Sequence, residues 1–219
     1  MDERKNTYCA ISDALKELLA ANDFSKITIS MITSKAGIKR STFYNYFQDK
    51  YSILEWILKN DLYENAKGLI DKKMYHEAFR LMFACIEENR NFYSKAFDIT
   101  GQNAFEDIFA NELCKILLEV YGKFDFNSDN PVYNRRNIAD YQARATVMYI
   151  KMWIHDNLYS DATYIEVCDA YIMMLLQGSK MVSDITSLSM IFDFAHEKIT
   201  SPLKKLPEII SKHKKTNKK

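Results

Sequence analysis

Within a short stretch the chain gathers Thr28, Lys39, Arg40, Ser41, Thr42, Tyr44, Asn45 and Lys50. They are cations, hydroxyls, one amide and one amphipathic ring. Such groups donate hydrogen bonds to phosphate oxygens, and guanidinium and amide groups also read base edges. The chemistry they could do is recognition of nucleic acid. From Phe24 to Lys50 the cations Lys26, Lys35, Lys39, Arg40 and Lys50 stand against Asp49 alone, while the whole chain carries a formal charge of only +1. A small basic face on a near-neutral chain suits a specific reader with modest non-specific affinity. The plainer reading is a solvated basic face. The joint spacing of Thr28, Gly37, the aromatic residues and Asp49-Lys50 weighs against it.

No other constellation offers catalysis. The chain has no Gly-rich phosphate loop, no Gly-x-Ser-x-Gly elbow and no His-Glu-x-x-His. Acidic neighbours such as Glu87-Glu88 read as solvated charges. Cys9, Cys85, Cys114 and Cys168 are scattered with no Cys-x-x-Cys pair, and His76, His155, His196 and His213 lack metal-ligand spacing. The expectation is a non-enzyme with no cofactor and no metal, its thiols reduced and buried.

The elements that must position the donors follow from local chemistry. Thr28 can cap a short helix whose apolar positions are Ile29, Ile32 and Ala36, with Ser30, Thr33, Ser34 and Lys35 opposite. Gly37 suits the turn, since glycine adopts positive φ without steric cost. A second helix over 39–47 is too short to stand alone and must be held by packing. Its Phe43 and Phe47 face the core, which leaves the donors outside. Asp49 caps the next helix.

The ordered series Ile27-Thr28-Ile29, Ile32, Ala36-Gly37-Ile38, Ser41-Thr42-Phe43-Tyr44, Tyr46-Phe47 and Asp49-Lys50 resembles the N-terminal domain of TetR-family transcriptional regulators. The resemblance implies three helices, the second and third forming a helix-turn-helix. It implies that Thr42, Tyr44 and Lys50 hold phosphates and that Lys39, Arg40, Ser41 and Asn45 lie near bases. Two positions depart from the family pattern: Ser41 stands where many members have glycine, and Lys39 where many have a capping serine or threonine. A weaker likeness, in Asn91-Phe92-Tyr93-Ser94-Lys95-Ala96-Phe97 and Gly101-Gln102-Asn103-Ala104-Phe105, is to a branch of the family from low-GC Gram-positive bacteria. That branch includes activators of dihydroxyacetone kinase genes.

Around this segment, 13 Phe, 14 Tyr and 2 Trp supply a core, and 5 Gly with 3 Pro are few breakers for 219 residues. The expected fold class is all-α. The periodicity predicts helices near 4–21, from Asp49 without a break to about 67–70, then near 74–88, 91–99, 103–121, 133–157 and 161–182. Residues 122–131 read as a loop. An extra apolar stretch follows Met181, then a short helix near 203–211 and a solvated lysine-rich tail. The polar N-terminus and the absence of an apolar run near 18 residues predict a cytoplasmic chain with no membrane contact.

The expected organisation is a DNA-binding domain over 1–48 and a larger helical ligand-binding and dimerisation domain over 49–219. The family implies a homodimer on a palindromic double-stranded DNA operator, built through the last two long helices. It implies a repressor released by an unknown small-molecule effector. Bulky residues placed to enclose a pocket are Trp56, Phe79, Phe83, Phe92, Phe97, Tyr149, Met152 and Trp153, although most such residues are simply core. The rivals are an activator controlled by a protein partner, and a helical small-molecule-binding protein that has lost DNA binding.

Overall fold

The computed structural model describes residues 3–123, 132, 134–155 and 161–187, with side chains from Arg4 as far as Leu175. The loop expected over 122–131 falls largely outside these residues, and the short helix near 203–211 and the tail fall wholly outside them. By contacts the chain divides into two compact units, Met1–Asp169 and Ala170–Lys219. Every regular element among the described residues is helical.

The first unit opens with α1 (Glu3–Ala21), a 3-10 turn (Phe24–Lys26), α2 (Ile29–Lys35) and α3 (Arg40–Phe43). Ile11, Leu15 and Leu19 form the buried face of α1, and Phe24, Ile27, Ile32, Phe43 and Phe47 are buried with them. Thr33 is a correction to the sequence reading: it is buried, not on the polar face, and its hydroxyl donates to the Ser30 carbonyl at 3.1 Å. That bond removes the penalty for burying a hydroxyl. The second short helix is also shorter than 39–47. After Phe43 the chain continues in turns that carry Phe47 N–H to the Phe43 carbonyl at 3.0 Å.

The predicted unbroken helix from Asp49 is three pieces: α4 (Lys50–Leu58), a π-helical turn (Lys59–Glu64) and α5 (Lys67–Asp71). Hydropathy cannot show this break, because Leu54, Ile57, Leu58 and Leu62 are buried on either side of it. What the π turn changes is Asp61, which is buried next to Leu62.

The body continues with α6 (Tyr75–Glu88), α7 (Arg90–Phe97), α8 (Phe105–Tyr121) and α9 (Arg135–His155), and α8 and α9 make the most extensive helix pair. Ala139 and Ala143 are fully buried on α9, small residues that let a neighbouring helix approach closely. Aromatic rings fill the centre: Phe97 meets Phe105 edge-on at 5.2 Å, and Phe83 lies 5.3 Å from Trp153. The last helix, α10 (Tyr164–Ser187), runs past the expected end near 182. Thr163 and Glu166 form its capping box, and Asp169 receives Arg80 Nε at 2.9 Å and His76 Nε2 at 3.0 Å.

Candidate nucleic-acid interface

Each end of the helix pair is fixed by a specific contact. The Thr28 hydroxyl accepts the Met31 N–H at 3.2 Å and closes the start of α2. At its end Gly37 adopts φ +66°, Ile38 N–H reaches the Thr33 carbonyl at 3.0 Å, and Gly37 N–H reaches the Ser34 carbonyl at 3.3 Å. This is a Schellman stop, which needs a left-handed residue at that place. Lys39 occupies the cap position of α3 with no capping side-chain bond, as its residue type predicts. Asp49 Oδ1 accepts from Tyr51 and Ser52 N–H groups at 2.9 and 2.8 Å, and Ser52 Oγ returns a bond to the Asp49 N–H.

With Phe43 and Phe47 buried, Lys39, Arg40, Ser41, Tyr44 and Asn45 are exposed together, and Thr42 is half-buried. Arg40 Nη2 donates to the Tyr44 hydroxyl at 3.2 Å, and its guanidinium lies 5.8 Å from the Tyr44 ring centroid. The pair orients both groups while Tyr44 stays 49% exposed. Tyr46 is held differently, edge-on to Tyr8 at 4.9 Å, and Tyr8 stacks on Trp56 at 5.5 Å.

Lys50 stands apart from the exposed row. Its ammonium donates to the Phe24 and Ile27 carbonyls at 2.6 and 2.9 Å, and it lies 4.4 Å from the Phe24 ring centroid. Burial pushes its pKa below the usual lysine value. It ties the start of α4 to the turn that precedes α2.

Sequence reasoning missed a buried ionic group under this head. Asp61 is 7% exposed, and its carboxylate meets Lys16 Nζ at 3.3 Å and the Tyr93 hydroxyl at 3.1 Å. No motif flags it, because its environment is made by residues far apart in the chain.

The residues expected to enclose a pocket are mostly engaged with one another. Phe83, Phe92, Phe97, Tyr149 and Trp153 are buried, Trp56 and Phe79 are half-buried, and Met152 is exposed. A cleft of about 350 Å³ between α1 and α4 is lined by Tyr8 and Trp56 among others. A second of about 630 Å³ lies by the 24–26 turn and the end of α7, and a polar one of about 690 Å³ runs along α8 and α9. Of the eight expected residues, Trp56 alone lines any of these three. Among the described residues no helix is long and apolar enough to cross a membrane, and no group of three metal-ligating side chains is found.

Two crossed short helices, the second presenting a donor row and held from behind by aromatic packing, define a helix-turn-helix protein. Known proteins agree. Residues 11–57 match the family of bacterial regulatory proteins called the tetR family, and residues 73–166 match a transcriptional regulator C-terminal region. The chain belongs to the TetR family of transcriptional regulators. It is 34% identical over 125 residues to the dhaKLM operon transcriptional activator DhaS of Lactococcus lactis subsp. lactis (strain IL1403), a match over 55% of this chain and 66% of that protein. The chain thus spans just under two thirds of that relative. The solved structure of a dihydroxyacetone kinase operon activator DhaS superposes with a TM-score of 0.57 at 27% identity, covering 80% of this chain and 97% of that one. A TetR-family regulator from Syntrophomonas wolfei str. Goettingen, at 17% identity and a TM-score of 0.56 over 79% and 96% of the two chains, shares the fold. These proteins are regulators and not enzymes.

Proposed function

We propose that this protein is a sequence-specific DNA-binding regulator that acts as a homodimer on a palindromic operator in the cytoplasm. The observation that carries the reading is the row Lys39, Arg40, Ser41, Tyr44 and Asn45, exposed on one side of a short helix whose other side is buried. Arg40, Ser41 and Asn45 are assigned to base edges, and Lys39, Thr42 and Tyr44 to phosphates. Thr28 and Lys50 shape the head, Thr28 by capping α2 and Lys50 by its carbonyl ties. In this reading residues 1–48 are the DNA-binding domain and 49–219 the helical ligand-binding and dimerisation domain.

The dimer is supported by Tyr141, Met148 and Met152, which are 73%, 53% and 38% exposed on α9 at spacings that form one stripe. Ile165, at the start of α10, is exposed as well. Apolar residues grouped in this way mark an interaction face.

On the sign of regulation, we propose a repressor released by a small-molecule effector that favours a state with re-aimed heads. The effector would enter among Trp56, Phe79, Phe83, Phe92, Phe97, Tyr149, Met152 and Trp153 by parting rings that are now in contact. The need to part them, and the name activator borne by both similar DhaS proteins, favour a second reading. In it the protein activates transcription and its body answers to a protein partner.

The test is selection of genomic DNA fragments by the purified protein at fixed salt, beside an Arg40→Ala/Tyr44→Ala variant. Enrichment of one palindromic site by the wild type alone supports the reading. No enrichment even at low salt overturns it. A binding partner recovered in fixed stoichiometry would select the second reading for the sign of regulation.

A further inference from the structure

Lys16 of α1 reaches across to three groups of the body. Its Nζ donates to Asp61 Oδ2 at 3.3 Å and to Asn89 Oδ1 at 3.2 Å, and it lies 5.5 Å from the Phe92 ring centroid. Asp61 Oδ2 also accepts from the Tyr93 hydroxyl at 3.1 Å. The Lys16 and Asp61 side chains are only 20% and 10% exposed, and Tyr93 is wholly buried. Burial, with the Asp61 charge added, raises the Tyr93 pKa well above its usual value, so the phenol stays a donor.

An ion pair in so dry a place returns little net stability, because the desolvation of both charges offsets their attraction. Apolar side chains of similar size would hold the seam about as firmly. They would not fix its geometry, since apolar contact is non-directional, whereas these hydrogen bonds each have a preferred direction. The backbone gives a second, independent sign. Asp61 lies within the π-helical turn Lys59–Glu64, and π turns are rare and concentrate at functional places. The turn stands directly after α4, the helix whose Lys50 holds the 24–27 carbonyls of the head. Two routes therefore lead from Asp61 to the reading helices, one through Lys16 on α1 and one along α4 to Lys50.

We propose that the Lys16–Asp61–Tyr93 joint sets the angle at which the DNA-reading head is held on the helical body, with Asp61 as a positioning residue that touches no DNA. The assignment rests on the DNA-binding reading above and adds to it the place where a change in the body is passed to the head. Moving α7 moves Tyr93, which moves Asp61 and with it α1.

Three variants test this: Asp61→Asn, Tyr93→Phe, and the apolar triple Lys16→Met/Asp61→Leu/Tyr93→Phe. Each is measured for thermal midpoint, for affinity to the selected operator across salt concentrations, and for hydrogen exchange in α1 to α3 against α8 and α9. The joint predicts that Asp61→Asn weakens operator binding about tenfold, within the usual range of coupling between sites, with the salt slope unchanged because the phosphate contacts remain. It predicts that the triple regains the wild-type midpoint yet still binds weakly, and that exchange quickens in the head alone. A triple with wild-type midpoint, affinity and head exchange would overturn the proposal, since the joint would then be packing only. If the wild type selects no DNA, the DNA-binding reading falls, and exchange alone decides: quickening confined to the head sustains the joint, and uniform or absent quickening overturns it. Should Asp61→Asn and the triple not fold, Tyr93→Phe, which removes one hydroxyl, is judged by the same exchange pattern.

Discussion

Two lysines of the head show how much depends on direction. Lys39 is exposed beside Arg40, whereas Lys50 spends its ammonium on the backbone carbonyls of Phe24 and Ile27. Replacing Lys39 with Ala should lower operator affinity and reduce the salt slope by about 1, as loss of a single phosphate contact does, while the thermal midpoint stays put. Lys50→Met should instead lower the unfolding free energy by about 1–3 kcal/mol, the usual range for hydrogen bonds to a charged group. A denaturant titration of both variants beside a salt series of binding separates the two roles. A Lys50→Met protein of wild-type stability would refute the structural role given to Lys50. The donor types of the reading row were legible in the sequence, and so were the inward turns of Phe43 and Phe47, because period and residue type agree there. The destination of Lys50 was not. Its partners lie more than twenty residues earlier and meet it only after the chain has folded back. Asp61 escaped for the same reason, its partners being Lys16 on α1 and Tyr93 on α7.

At the scale of elements, two helices end in the same way with different residues. Gly37 ends α2 at φ +66°, and Lys73 ends α5 at φ +60°, where Met74 N–H reaches the Leu69 carbonyl at 2.9 Å. A side chain in this left-handed region is strained by about 1 kcal/mol. Lys73→Gly should therefore stabilise the protein by roughly that amount and Gly37→Ala should destabilise it similarly. A Cβ at Gly37 would meet nothing within 4 Å, so the dihedral alone decides the sign. Chemical denaturation of the pair checks both, and a stabilised Gly37→Ala would contradict the argument. The Gly37 turn could be read from sequence because glycine announces it; the Lys73 turn could not, since nothing in a lysine does. The break after Leu58 was hidden because the residues around it stay apolar through the change of register. A pH effect also belongs here. Arg80, with His76 beside it, holds the Asp169 pKa at about 2 against an ordinary value of 3.8. The folded pKa is depressed, so this tie between α6 and α10 stabilises fully above the ordinary value and is lost as pH falls from about 4 towards about 2. Asp169→Asn should flatten the fall in thermal midpoint across that window and leave the slope above it unchanged. An unaltered acid limb would contradict the assignment.

For the whole molecule, the all-α class and the family were legible because the helix-turn-helix is a local motif whose residues lie side by side in the chain. Whether the aromatic body holds a cavity was not, since ring types do not say whether rings enclose space or fill it. Here Phe83 packs on Trp153 and Phe97 on Phe105. The exposed stripe Tyr141, Met148 and Met152 places the dimer contact on α9. Met148→Glu should yield a monomer by light scattering at micromolar concentration, with helical content retained. A dimer unchanged by that charge would move the contact elsewhere. The central claim is that the exposed side chains of α3 read DNA. The most direct measurement is the affinity of the wild type and the Arg40→Ala/Tyr44→Ala variant for the selected operator at one physiological salt concentration, with thermal unfolding of both in parallel. The account predicts a loss of about a hundredfold, from two contacts of 1–3 kcal/mol each, at an unchanged thermal midpoint. Equal affinity in the two proteins would contradict it.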